Sequence, residues 1–187
     1  MIEGEEAKSN AEFVDNGAKL QVLTTLDAPR KRLLEIDLAK PQQDHWNELL
    51  PQDPGAILED VTRVDGKLYA NYLRDAHSEI SVYQTTENGL TNEGKVELPG
   101  LGTVSGLRRT GDGKVAFSYG SYNFPNATLE LDPGTTKPVV KTQDEVPFDF
   151  ENYDVKQEWF RSVDGTKVPM FIVHKKGLKP DGETPTL

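Results

Sequence analysis

The residues that could do chemistry are few and scattered. Gly102-Thr103-Val104-Ser105-Gly106 has the glycines of a nucleophile elbow but carries its serine one place late, and Ser118 has Gly120 two residues after it but Ala116 two before. Serine hydrolases of the α/β type need G-x-S-x-G, which presents the nucleophile on a strained strand-to-helix turn. The chain contains no such pattern, so no catalytic residue is assigned. His45, His77 and His174 stand far apart in polar surroundings and read as surface or capping side chains rather than metal ligands. Asp75-Ala76-His77 offers half of a metal site, with no second half in view. Glu5-Glu6 and Glu59-Asp60 read as solvated charge, with nothing to suggest a glycosidase pair. No metal or cofactor is expected. Arg108-Arg109, beside Arg74, could form an anion patch, although an ordinary solvated strand end is the favoured reading. Asn126-Ala127-Thr128 is a formal glycosylation sequon, read here as a loop-to-strand transition. Trp46 and Trp159 are expected in a core rather than as stacking platforms.

Composition narrows the partners. With 31 acidic and 21 basic residues the net charge is -10, which disfavours nucleic acid and anionic membranes. The absence of cysteine excludes disulfides, thiolate zinc sites and thiol chemistry. The polar, acidic start MIEGEEAKSNAEF lacks the basic and apolar regions of a signal peptide, and no apolar run approaches spanning length. A cytoplasmic location is therefore expected. At 187 residues, with 35% hydrophobic side chains, there is material for one domain and a fragment of another.

The elements that would position any site repeat along the chain. Asn16-Gly17, Asp65-Gly66 and Asp112-Gly113 place glycines 49 and 47 residues apart, each leading into an apolar or alternating run: LQVLTTL, LYANYL and VAFSYG. A second marker follows each by about a dozen residues: RLLEIDL (32–38), EISVYQT (79–85) and TLELDPG (128–134). A looser third marker comes after it: NELLP (47–51), KVELP (95–99) and PVVKT (138–142). With a further strand before each glycine turn, every unit holds four strands. Four short antiparallel strands per 40 to 50 residues is the signature of a β-propeller blade. A sandwich or meander of the same strands is the rival fold. Blades are expected near 12–50, 57–99 and 104–142, with primed turns at the three dipeptides. PQQDHWNELL (41–50) is the one window that suggests a turn of helix. Three blades do not close a ring, so the chain reads as part of a larger molecule.

The C-terminal stretch does not continue the repeat. Asp164-Gly165 is a hairpin turn, and Lys167-Val168-Pro169-Met170-Phe171-Ile172-Val173 after it is a strongly apolar strand with no further strand to cover it. YDVKQEWFRSVDGTKVPMFIVHKKGLKPDG, and above all DGTKVPMFIVHKKG (164–177), resembles the junction of the prolyl oligopeptidase family of serine peptidases, which joins a propeller to an α/β-hydrolase domain. LTTLDAPRKRLLEIDL (23–38) and NYLRDAHSEISVY (71–83) resemble its late blades, so the resemblance covers nearly the whole chain. It implies an all-β fold in which residues 1–146 are the last three of seven propeller blades. Residues 147–187 would be the linker and first strands of a truncated hydrolase domain.

It also implies a parent enzyme that cuts short peptides after proline. The family's catalytic serine, aspartate and histidine lie beyond this chain, so none is carried over, and the segment alone is expected to be inactive. Its contribution would be to restrict access and anchor the catalytic domain. Its partners would be short proline-containing peptides in the intact protein, the remaining blades and the hydrolase domain. The alternative is a propeller module that binds a protein partner without any enzyme attached. Oligopeptidase B and acylaminoacyl peptidase are near relatives that the residues here do not separate.

Overall fold

The computed structural model describes residues 7–86, 89–179 and 181–184. Its described residues hold fourteen strands and three short 3-10 turns, with no α-helix. Strands β1 (Ser9–Val14), β2 (Lys19–Thr24), β3 (Arg32–Asp37) and β4 (Asn47–Leu50) form one antiparallel sheet in sequence order. A second sheet is built the same way from β5 (Ala56–Val64), β6 (Lys67–Arg74), β7 (His77–Thr86) and β8 (Gly89–Lys95). A third follows from β9 (Gly102–Arg109), β10 (Val115–Ser121), β11 (Phe124–Leu131) and β12 (Val139–Gln143). Strands β13 (Tyr153–Arg161) and β14 (Lys167–Lys175) form a separate hairpin. The chain is thus all-β and made of propeller-type sheets, but the three sheets close no ring among the described residues.

Alternation along each strand explains why the sheets stack. On β6, Leu68, Ala70 and Tyr72 join Leu23, Leu33 and Leu50 in a core between the first and second sheets. The intervening Tyr69 faces the other way, into a core with Val104, Val115, Phe117 and Leu129 of the third sheet. The middle sheet is therefore buried on both faces, which is why LYANYL reads as a nearly unbroken apolar run. Each large apolar side chain buried in this way contributes about 1.5–3 kcal/mol. A polar pair reinforces the second seam. Val104 N–H donates to Ser78 Oγ at 2.9 Å, and Asn71 Nδ2 donates to the Val104 carbonyl at 3.4 Å.

The three glycine dipeptides all fall between the first and second strands of their sheets. Only one of them makes the expected primed turn. Val64 pairs with Lys67 across Asp65 and Gly66, whose φ values are 51° and 74°. Around Asp112-Gly113 a three-residue loop forms instead, with Thr110 N–H donating to the Lys114 carbonyl and only Gly113 left-handed, at φ 82°. Asn16-Gly17 lies in a longer 3-10 turn. One or two extra loop residues change the turn class while the junction stays the same.

A second departure concerns the fourth strand of the second sheet. It was expected at KVELP (95–99), but β8 is Gly89–Lys95. β7 runs ten residues and its last, Thr86, already pairs with Gly89, so the partner strand begins early. Val96, just past β8, still donates its N–H to the Ile80 carbonyl at 2.9 Å while its side chain fills the core between the second and third sheets. The window at 41–50 contains a single 3-10 turn, Gln43–His45, ahead of β4.

Candidate functional site

The face where the β6–β7 and β10–β11 turns meet the hairpin is the most elaborated part of the surface. Each sheet connects its second and third strands on this side. Arg74 pairs with His77 across Asp75 and Ala76, both left-handed, at φ 48° and 64°. This turn exposes the Asp75 carbonyl, which accepts a hydrogen bond from Gln157 Nε2 of β13. On the third sheet, Asn123 Nδ2 donates to the Tyr153 carbonyl at 3.0 Å, at the base of the hairpin. The Tyr122 ring lies 5.6 Å from that of Phe171 on β14.

The linker is held by an aromatic path that leads out of the core. Tyr119 is fully buried and meets Phe124 edge-on at 5.5 Å, and Phe124 meets Phe150 at 6.4 Å. Such edge contacts add about 0.5–1.5 kcal/mol each beyond their burial. Phe148 lies against Tyr153 at 4.9 Å, and Lys176 N–H returns to the Asn152 carbonyl at 2.8 Å, which closes the hairpin base.

Between the third sheet and the hairpin lies a cleft of about 680 Å³. Its floor carries hydroxyl groups, including Ser105, Ser118 and Ser121, and its wall includes Tyr122 and Phe171. Ser105 and Ser118 are the two serines with imperfect elbow contexts, and the structure places them opposite each other on extended strands. No histidine or carboxylate lines this cleft among the described residues. Gly102 lets the Tyr119 ring pass close to β9: a Cβ there would sit 2.5 Å from that ring and from the Gly120 carbonyl oxygen.

The other candidates are dispersed. His45 lies 3.9 Å from Asp44 in the 3-10 turn, His174 Nδ1 is 2.9 Å from the Lys175 carbonyl, and His77 opens β7. Among the described residues, no group of three His, Asp or Glu side chains could hold a metal ion. Glu5-Glu6 lies outside the described residues. Asn126 lies inside β11, two residues after its start, rather than at a loop-to-strand transition.

Arg74 does not join Arg108 and Arg109. It opposes Ala56 at the start of β5, where it is paired with Asp53 at 2.7 Å and with Glu79 at 3.1 Å. Burial would raise the Glu79 carboxyl, but Lys95 and Arg74 outweigh it and hold the group below its usual range. Arg108 and Arg109 end β9 and are exposed, while the guanidinium of Arg63 on β5 is engaged by Thr85 at 2.9 Å and Glu35 at 3.9 Å.

Trp46 packs on the outer core of the first sheet and donates Nε1–H to the Pro41 carbonyl at 3.0 Å. Trp159 is not core: it is 45% exposed, because its part of the hairpin extends past the sheets. Gln157, Asn123 and the Tyr122–Phe171 pair escaped the sequence reading. The aromatic-rich FDFENY (148–153) was their one visible signal.

Comparison with known proteins places this arrangement. Residues 1–144 match the family model described as prolyl oligopeptidase, N-terminal β-propeller domain. The prolyl endopeptidase of Elizabethkingia meningoseptica is 31% identical over 188 residues, covering 100% of this chain and 26% of that protein. A solved structure from a study of two prolyl endopeptidases and inter-domain dynamics aligns with a TM-score of 0.77 and 36% identity, over 95% of this chain and 26% of that one. Prolyl oligopeptidase B from Galerina marginata, as the apo protein, aligns with a TM-score of 0.79 and 26% identity, over 94% of this chain and 25% of that one. The chain thus spans about a quarter of the length of the curated relatives it matches. With its repeated four-stranded sheets and a family match over most of its length, the chain belongs to the prolyl oligopeptidase N-terminal β-propeller domain family.

Proposed function

We propose that residues 1–146 are the last three blades of a seven-bladed propeller and that residues 147–187 are the link and opening strands of an α/β-hydrolase domain. The parent would be a serine peptidase that cleaves short peptides after proline. In this reading the segment does no bond chemistry. It restricts access to the active site and fixes the catalytic domain in place.

The observation that carries this reading is the seating of the hairpin. Cross-strand pairing puts Gln157 and Phe171 on one face, and both touch the turns of the sheets. Phe160, Met170 and Ile172 lie on the opposite face, 48%, 42% and 39% exposed. A hairpin clamped on one face, with exposed Phe160, Met170 and Ile172 among charged residues on the other, suits the edge of a further sheet. The relatives named prolyl endopeptidase supply the reaction class.

Incubating the pure chain with a chromogenic proline peptide tests the division of labour. No turnover above buffer is expected. Turnover that survives repurification and is abolished by a serine-directed inhibitor would overturn it.

A further inference from the structure

The turn between the first and second strands is looser in the first sheet than in the other two. Asp15, Asn16 and Gly17 are all left-handed, at φ 51°, 53° and 86°, and Ala18 N–H closes their turn on the Asp15 carbonyl at 3.1 Å. An L-residue is crowded in that conformation, so two non-glycine residues in succession hold strain that opening the turn relieves. Residues 15–18 are all exposed, and a Cβ placed on Gly17 would meet no atom beyond its chain neighbours within 4 Å. The Asn16 amide has no hydrogen-bond partner among the described residues. The strand that leads into the turn, β1, is itself exposed along most of its length.

In the other two sheets the same junction is clamped. The Gly66 carbonyl accepts from Thr85 N–H at 3.1 Å and from Gln84 Nε2 at 3.3 Å. Gly113 N–H donates to the Thr110 carbonyl at 3.1 Å, and the Thr110 hydroxyl donates to the Asp112 carboxylate at 2.5 Å. The residue types differ as well, with an amide at position 16 and carboxylates at 65 and 112. An amide is attacked by the backbone nitrogen of the next residue far more readily than an ionised carboxylate. Glycine, with no Cβ, leaves that nitrogen open to approach. Asn16 and Asn88 are the asparagines that precede glycine in the sequence, and Asn88 lies outside the described residues.

We propose that Asn16 is a site of spontaneous covalent modification, converting to isoaspartate and aspartate in the folded chain. The Gly17 nitrogen attacks Asn16 Cγ. The N–Cγ bond forms, the Cγ–Nδ2 bond breaks, and Nδ2 leaves as ammonia with the proton from the Gly17 nitrogen. Water then opens the cyclic imide at either carbonyl. Opening at Cγ gives aspartate, and opening at the main-chain carbonyl gives isoaspartate, whose main chain runs through Cγ.

The product changes the sheet it sits in. Isoaspartate adds one carbon to the main chain of the turn, and either product puts a new negative charge beside Asp15. Val14 and Lys19, the last pair of the β1–β2 ladder, flank the turn directly. β1 pairs with no strand but β2 among the described residues, so it is the strand that the lengthened turn releases.

The test ages the full 187-residue chain, folded and in urea, at mildly acidic and mildly alkaline pH. Peptides spanning residues 16, 65 and 112 are followed by mass spectrometry with fragmentation that separates isoaspartate from aspartate. Asn16 is expected to react faster at alkaline pH, because ring closure needs a deprotonated nitrogen. Its rate in the folded chain should lie within about tenfold of its rate in urea, since opening an exposed turn costs little. Isoaspartate at 65 and 112 should stay more than about tenfold below that at 16 in the folded chain. Ageing should also speed hydrogen exchange in residues 9–14, but not in Asn16→Gln, whose longer side chain closes the ring far more slowly. A residue 16 that reacts in urea but not in the folded chain, equal conversion at 65 or 112, or a loosening of β1 that persists in Asn16→Gln would overturn the proposal.

Discussion

Two six-residue runs of this chain invite comparison: Leu68–Leu73 in β6, and Val168–Val173 in β14. Both are rich in apolar side chains. The first is buried on both faces, because the sheets on either side each receive one set of alternating residues. The second touches the propeller-type sheets through Phe171, while Met170, Ile172 and Val173 remain substantially exposed. Apolar content alone therefore does not decide burial here; it is decided by which sheets lie on each side of the strand. Burial inside the array stabilises this chain, whereas the outer face of the hairpin contributes to stability only when another surface covers it.

Truncations should separate the two regions most sharply. Phe117→Ala, in the fully buried core between the second and third sheets, is expected to cost about 3–5 kcal/mol in chemical denaturation. Phe160→Ala on the hairpin should cost under about 1 kcal/mol, since its side chain is already half in water. Equal costs would mean that the hairpin outer face is covered in solution, by self-association or otherwise.

Two smaller perturbations examine the array itself. Gly102→Ala should destabilise by about 1–3 kcal/mol, because the added methyl meets the Tyr119 ring and the Gly120 backbone at 2.5 Å and the backbone cannot swing aside. Ser78→Ala should cost about 1–3 kcal/mol by leaving the buried Val104 N–H without its acceptor. If thermal melts show no change for Ser78→Ala, the second seam is held by apolar packing alone.

How much of this was legible in the sequence depends on what sets each feature. The repeat was visible because Asn16-Gly17, Asp65-Gly66 and Asp112-Gly113 return at nearly constant spacing, and all three occupy the same junction. Turn class was not legible, since it depends on one or two flanking residues that share the same glycine signal. The start of β8 was missed because LTNEGK carries little apolar pattern, whereas the apolar Val96 and Leu98 that drew attention lie just past the strand and pack on the core. The lesser alternative of an arginine patch with Arg74 does not form, for a three-dimensional reason. Arg74 and Arg109 both end strands, but β6 runs back against β5, so they stand at opposite ends of the sheets. The docking contacts of Gln157 and Asn123 use a backbone carbonyl as acceptor, and a carbonyl has no residue signature.

The smallest expected effect concerns pH. Asp60 is half-buried, and that burial pushes its carboxyl up, only partly opposed by the N–H groups of Val61 and Leu107. A carboxyl whose folded pKa is raised binds its proton more readily in the folded chain, so its contribution is full below the ordinary value of 3.8 and is lost as pH rises through the folded pKa. Asp60→Asn should therefore raise the melting temperature at neutral pH, and the gain should shrink as pH falls toward 3.8. A gain that is independent of pH would assign the effect to something other than this ionisation.

The central claim is that the three sheets form one mutually supported array while the hairpin is held by one face only. Hydrogen exchange read by mass spectrometry on the intact chain tests it most directly, because protection reports local opening segment by segment. The slowest exchange is expected in residues 67–73 and 115–119, with residues 153–175 exchanging far faster through local opening. Protection of the hairpin equal to that of β6, at concentrations where the chain is monomeric, would contradict it.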